Sequence, residues 1–216
     1  MLLGRPVRID LASVQRKLVA DGRGGYCYEH NLLFRSLLEA LGFRVKSYAG
    51  HVLWGRDGAS MPPRTHMMML VELDHIRYLA DVGFGGMTLS APIVLQANLE
   101  QITPHGVFRL LDADSDGTAL PAYVVLQARV EGQWVSIYRF DLDPRYQADY
   151  EMSNHYVSTW HDSIFVHNLL AARLAPGKRI GLFNRAMRVL AVDLGIRLLD
   201  VAADTTQLDT VLGHLP

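Results

Sequence analysis

The sequence predicts an α+β fold built on an antiparallel sheet, and three observations lead there. Helical periodicity is concentrated before Gly42, at Leu11, Val14 and Leu18 and again at Leu32, Leu33, Leu37, Leu38 and Leu41. From Phe43 to Phe140, β-forming runs follow one another with only turns between them. Such runs pair as hairpins rather than through helical crossovers. Beyond Asp141 the pattern becomes mixed, with a helical stretch and several short strands.

Taken in order, residues 1–9 read as an extended lead-in and not as a signal peptide, because Leu2-Leu3 is its whole apolar run. Asp10 is an N-cap for a helix over 11–20, which Asp21-Gly22-Arg23-Gly24-Gly25 stops. A second helix is expected over 27–41, ending at Gly42. Residues 43–54 read as a strand, 55–64 as a loop, and 65–73 and 77–82 as a hairpin turning near Asp74-His75. Gly83-Phe84-Gly85-Gly86 is a flexible turn, and 87–103 carry little signal. Strands are expected at 105–111, 122–130 and 133–140, with turns at 112–118 and at Glu131-Gly132. Residues 144–157 read as helix or irregular helical turns, then 164–174, 178–183, 187–192 and 197–201 as strands. A short helix over 206–212, capped by Asp204 or Thr205, ends the chain. Subdivisions fall near Leu41 and near Asp141, without a long linker.

Composition narrows the function classes. Half of the 216 residues are hydrophobic and a fifth are charged, which suits a core-forming protein. The balance of 21 basic and 22 acidic residues gives no electrostatic footprint for nucleic acid or an acidic membrane. Apolar stretches such as Met67–Val71 and Pro121–Leu126 are far too short to span a bilayer. A single cysteine excludes an internal disulfide and a cysteine-rich zinc site, and fits a reducing cytoplasm.

That cysteine, Cys27, stands after two glycines at the start of the second helix. A thiol there meets the positive end of the helix dipole and unpaired backbone N–H groups, a place where cysteines act as nucleophiles. The plain alternative is a small buried core residue. A thiol nucleophile needs an imidazole, and the imidazole needs an acceptor to set its tautomer. Of nine histidines, His66 stands out on the apolar run Met67–Val71, where a lone histidine is more often a structural residue than a base. Asp81 closes the run Tyr78-Leu79-Ala80, and a carboxylate in such a strand needs a partner. If 65–73 and 77–82 form a hairpin, His66 and Asp81 share a face and the second ring nitrogen is left for Cys27. His155, His161 and His167 lack metal-ligand spacing, so no metal is expected. His30 neighbours Cys27 but has no group to orient it. The Gly83–Gly86 turn lacks a Walker lysine; it is either a plain turn or a place where backbone N–H groups meet an anion. Glu29 and Asn31 read as a first-turn acid and a solvent-facing polar residue. A Cys27–His66–Asp81 triad would set acyl chemistry but not its substrate.

The segment Arg23-Gly24-Gly25-Tyr26-Cys27-Tyr28-Glu29-His30-Asn31 resembles the Arg-Gly-Gly-x-Cys signature of the arylamine N-acetyltransferases. Thr65-His66 and Asp81-Val82-Gly83-Phe84-Gly85 resemble that family's histidine and aspartate strands, in the same order. Leu3–Val7 resembles the segment before the cysteine helix, and Asn154–Thr159 with Asp162–Phe165 the start of the third lobe. Trp160-His161 departs from the family's His-Pro pair. The resemblance spans essentially the whole chain. It implies three lobes: a partial helical bundle over 1–42, an antiparallel β-barrel over 43–141 and an α/β lid over 142–216, with a papain- and transglutaminase-like cysteine site. Relative to the family, helix ahead of Leu3 is missing, including a Pro-Phe-Glu-Asn-like stretch, so the two helices should show apolar surface. The implied reaction is ping-pong: acetyl-CoA acetylates Cys27, and an arylamine, arylhydroxylamine or hydrazine takes the acetyl group. His66 would act as base and Asp81 would orient it. Gly83, Phe84, Gly85 and Gly86 would border the cleft shared by CoA and acceptor, and no cofactor would be permanently bound. The competing functions are a macrolactam-forming amide synthase of the same fold, a thiol hydrolase, and a non-catalytic family member.

Overall fold

The computed structural model describes residues 1, 4–56, 58, 60–112, 123–191 and 195–200, with backbone only from residue 187. Its order is two helical segments, eight strands, two helices and four strands. Helix α1, Leu11–Gln15, is capped by Asp10, whose carboxylate accepts Ser13 N–H at 2.9 Å. The expected helix over 11–20 is not uniform: Arg16–Ala20 widens into a π-turn, from which Lys17 reaches Glu29 at 2.6 Å.

Helix α2 runs Cys27–Ala40. Gly42 takes φ +87°, and Gly42 N–H and Phe43 N–H bond the carbonyls of Glu39 and Leu38, both at 3.0 Å. That pairing closes a helix by satisfying its orphan carbonyls, and it needs a residue free to adopt a left-handed conformation. Leu11 of α1, Val19 of the π-turn, Leu37 of α2 and Leu41 just beyond it are exposed.

The strands that follow are β1 Arg44–Val52, β2 Arg64–Leu73, β3 Ile76–Ala80, β4 Ile93–Val94, β5 Gln101–Thr103, β6 Gly106–Asp112, β7 Val124–Val130 and β8 Gln133–Phe140. They form one antiparallel sheet in the order β4-β3-β2-β1-β8-β7-β6-β5. The sheet curls into a nearly closed barrel, because the segment leaving β4 reaches β6: Ala97 bridges Leu110, and Asn98 N–H donates to the Leu110 carbonyl at 2.7 Å. Asp74-His75 and Glu131-Gly132 both have positive φ, the backbone of tight two-residue hairpin turns. β2 is buried on both faces. Met68 and Leu70 enter the barrel core with Tyr48, Leu79, Phe108, Tyr138 and Phe140. Met69 and Val71 face Phe34 and Leu38 of α2. Burial on two sides explains why Met67–Val71 is continuously apolar rather than alternating.

After the barrel come α3 Gln147–Thr159, α4 Ile164–His167, and strands β9 Leu170–Ala175, β10 Lys178–Phe183, β11 Ala186–Ala191 and β12 Gly195–Asp200. The last four form an antiparallel meander. Three expectations need correction. Residues 164–174 are not one strand: Ser163 caps α4 by accepting Phe165 N–H, and the strand starts only at Leu170. Residues 87–103 hold β4 and β5, which pair with β3 and β6 respectively, and the Gln101 side chain bonds both Val94 N–H and Val94 C=O. Strands of two and three residues leave no β pattern to read. Asp81 lies one residue beyond β3 rather than inside the strand. The helix expected over 206–212 and most of the turn at 112–118 lie outside the described residues. No helix among the described residues is long and apolar enough to cross a membrane.

Candidate active site

Cys27 is the first residue of α2 and is buried. The chain enters from extended Tyr26, whose N–H is accepted by the Glu29 carboxylate at 3.2 Å. Glu29 is 1% exposed and its other oxygen binds Lys17, so it is a buried, paired acid at the positive helix end. Tyr26 is tied in turn to Asn154 of α3, and Asn154 Nδ2 donates to the Val7 carbonyl at 2.9 Å. The cysteine helix is thus fixed at its start by three separate segments.

His66 lies on β2, on the barrel side, and Asp81 follows β3. The β2–β3 register pairs Met69 with Ala80, which places Asp81 on the face of β2 that carries Met68 and His66. His66 Nε2 and Asp81 Oδ2 are 2.7 Å apart, with both residues almost wholly buried. Nδ1 is therefore the nitrogen left for the Cys27 thiol, whose sulfur also lies 3.7 Å from the Thr65 carbonyl. Burial opposes a charge on His66, but the Asp81 carboxylate, its hydrogen bond and the Cys27 side chain outweigh it and raise the imidazole to about 10. Burial also opposes the Asp81 charge. The His66 imidazolium and hydrogen bonds from His66, Asn31 and Gly83 N–H nevertheless hold Asp81 below the usual carboxylate range. His30, by contrast, is pushed down by burial and stays neutral.

Asn31, expected to face solvent, is fully buried and central. Its Nδ2 donates to Asp81 Oδ1 at 3.0 Å and to the Met67 carbonyl at 2.8 Å, and its Oδ1 accepts Val82 N–H at 3.0 Å. It lies four residues after Cys27, on the same helix face. That spacing was the available signal, and composition gave no reason to prefer it to a solvated asparagine. Tyr138, from β8, was not foreseen at all. Its ring lies 4.9 Å from that of His66, and burial and the Asp81 charge keep its phenol protonated.

The Gly83–Gly86 turn adjoins this group. Gly83 N–H donates to Asp81 Oδ1 at 2.9 Å. The Phe84 ring meets His66 edge-on at 5.0 Å and Tyr138 at 5.6 Å. No group of three or more His, Cys, Asp or Glu side chains able to hold a metal occurs among the described residues. A thiol, an imidazole and a carboxylate in line, walled by aromatics, form an arrangement suited to forming and breaking an acyl–sulfur bond.

Comparison with known proteins gives a consistent picture. A family profile described as N-acetyltransferase matches residues 1–211. The arylamine N-acetyltransferase of Escherichia coli K12 is 45% identical over 185 residues, which is 85% of this chain and 63% of that protein. The Salmonella typhimurium arylamine N-acetyltransferase / N-hydroxyarylamine O-acetyltransferase is 42% identical over the same shares. The chain thus spans 63% of the length of these two relatives. Among solved structures, Mycobacterium marinum arylamine N-acetyltransferase in complex with CoA superposes with a TM-score of 0.87 at 36% identity, covering 99% of this chain and 77% of that one. The chain belongs to the arylamine N-acetyltransferase family.

Proposed function

We propose that this chain is an acetyl-CoA-dependent arylamine N-acetyltransferase, with Cys27 as nucleophile, His66 as acid and base, and Asp81 as the group that orients His66. The observation that carries the proposal is the buried His66–Asp81 pair at 2.7 Å, with its free ring nitrogen toward a cysteine at a helix start. His66 takes the proton of the Cys27 thiol. The Cys27 sulfur attacks the acetyl carbonyl of acetyl-CoA, and the resulting oxyanion is met by backbone donors such as Cys27 N–H. The carbon–sulfur bond to CoA breaks, and His66 gives its proton to the departing CoA sulfur. The amine nitrogen then attacks the Cys27 thioester, His66 takes the proton that nitrogen loses, and the amide leaves with the ion pair restored. Asp81 stays ionised throughout and stabilises the imidazolium.

Gly83, Phe84, Gly85 and Gly86 are proposed to border the acetyl-CoA cleft, since Phe84 already contacts the His66 ring. Arylamines, arylhydroxylamines and hydrazines are the proposed acceptors, consistent with handling of foreign amines in the cytoplasm. The three lobes, 1–42, 43–141 and 142–216, are proposed as functional divisions: one brings the thiol, the next the imidazole and carboxylate, and the third covers them.

Steady-state kinetics with acetyl-CoA and an arylamine such as 4-aminobenzoate test the reaction order. Two half-reactions through one thioester give parallel double-reciprocal lines. Intersecting lines would mean direct transfer in a ternary complex and would overturn the covalent route.

A further inference from the structure

A side chain of β10 is buried against backbone carbonyls of the barrel. Arg179, on β10, is 3% exposed. Its guanidinium donates from Nε to the His105 carbonyl at 2.9 Å, and from Nη1 to the carbonyls of Gly86 at 3.0 Å and Thr88 at 2.8 Å. Its carbon lies 5.6 Å from the Phe108 ring centre. Its partners are carbonyls rather than a carboxylate, and Nη2 has no hydrogen-bond partner among the described residues. Burial pulls its pKa down to about 10, so it is still a cation at neutral pH. A buried cation without a counter-ion is a poor route to stability, and an apolar residue is usually the cheaper filling. What this cation does achieve is to bind two separate segments of the barrel at once.

One of those segments is the turn at the site. Its near end is held by α2, where Asn31 binds Val82 N–H and Gly83 rests against Cys27. Its far end is held by Arg179 at Gly86 and Thr88. Thr88 links the two ends, since its hydroxyl donates to the Asp81 carbonyl at 2.8 Å and its N–H to the Gly85 carbonyl at 3.0 Å. Between these anchors stands Phe84, flanked by glycines that set no conformation of their own. Ala172 of β9 lies close as well, 3.7 Å from a Cβ built at Gly85. Neighbouring His105 also joins barrel to lid, with Nε2 2.8 Å from the Ala175 carbonyl.

We propose that Arg179 is a positioning residue: from the third lobe it clamps the carbonyls of Gly86 and Thr88 and thereby holds Phe84 against His66, shaping the wall that receives the acyl donor. The inference rests on the acetyl-transfer function proposed above. Arg179 touches no reacting group itself. The triad has its own supports, Asn31 and Gly83 N–H, so losing Arg179 should loosen the donor wall and spare the ion pair.

The test compares wild type with Arg179→Met, Arg179→Lys, Phe84→Ala and the Arg179→Met/Phe84→Ala double variant. In Arg179→Met, KM for acetyl-CoA is expected to rise about tenfold, as for one lost charge-assisted hydrogen bond, with kcat largely kept. The pH profile of Cys27 alkylation by iodoacetamide is expected to match wild type. Arg179→Lys, which keeps a cationic donor, is expected to fall in between and gives a readout even if the methionine variant does not fold. The double variant is expected to be no worse than Phe84→Ala, because the arginine acts through that ring. A wild-type KM in folded Arg179→Met overturns the inference. So does a Lys variant with wild-type KM alongside a misfolded Met variant, or a double variant whose losses simply add. If wild type itself takes no acetyl group from acetyl-CoA, the underlying function fails, which is a distinct result.

Discussion

Asp81→Asn is expected to slow acetylation of Cys27 by about 10⁴-fold while leaving the fold in place, the scale seen when a triad carboxylate becomes an amide. The hydrogen bonds show why. Asp81 Oδ1 accepts from Asn31 and Gly83 N–H, and Oδ2 faces His66 Nε2. An asparagine has one acceptor and one donor end. With its oxygen toward Asn31 and Gly83, its NH2 meets Nε2 and drives the ring proton to Nδ1, the nitrogen meant for the thiol. With the amide reversed, its NH2 is buried against two other donors. Neither orientation restores the ion pair.

The same substitution has a pH signature. The imidazole of His66 is raised from 6.5 to about 10. Its share of the stability is therefore fully present below pH 6.5 and is lost as pH rises through about 10. Asp81 is lowered from 3.8, so its share is present above pH 3.8 and is lost as pH falls through its depressed native value. In urea unfolding at a series of pH values, the excess stability of wild type over Asp81→Asn should be greatest between pH 3.8 and 6.5 and should shrink toward pH 10. Superimposable pH curves would contradict the ion pair.

Gly83→Ala is expected to cost about 10²-fold in acetylation rate, through displacement of the reacting groups by roughly 1 Å. A Cβ on Gly83 would lie 2.6 Å from Asn31 Nδ2, 2.7 Å from Cys27 Cα and 2.9 Å from the Cys27 carbonyl oxygen. Two of these three atoms are helix backbone and cannot rotate away. Either the turn retreats with Phe84 and the Asp81-binding N–H, or the first turn of α2 moves with its thiol. Overpacking of this kind typically costs about 1–3 kcal/mol of stability. Stopped-flow release of CoA together with a melting curve would separate a misplaced site from an unfolded one. Wild-type rates in Gly83→Ala would show that the close approach is not what aligns the pair.

Much of the site was legible because its residues are chemically conspicuous where they stand. A lone cysteine after two glycines, a histidine on an apolar run and an aspartate at a strand end each break the local pattern. Asn31 does not break its pattern, since a polar residue on an amphipathic helix is ordinary. Its burial depends on Asp81, fifty residues away, docking on α2. Tyr138 and Arg179 are hidden for a similar reason. Each sits among residues of normal strand composition, and tertiary contacts alone give it a partner. In the fold, hairpins with the positive-φ pairs Asp74-His75 and Glu131-Gly132 lay close to their expected places. The start of α4 was misread because Ile164–His167 is as apolar as a strand, although Ser163 before it is a helix cap. β4 and β5 left no trace, being two and three residues long.

Whether Cys27 carries the acyl group can be read from the mass of the intact protein after brief exposure to acetyl-CoA without amine. Wild type is expected to gain one acetyl group, localised to Cys27 by peptide mapping and discharged on adding an arylamine, while Cys27→Ala gains none. A folded wild-type protein that stays unmodified, or an acetyl group that persists in Cys27→Ala, would contradict a covalent mechanism through this cysteine.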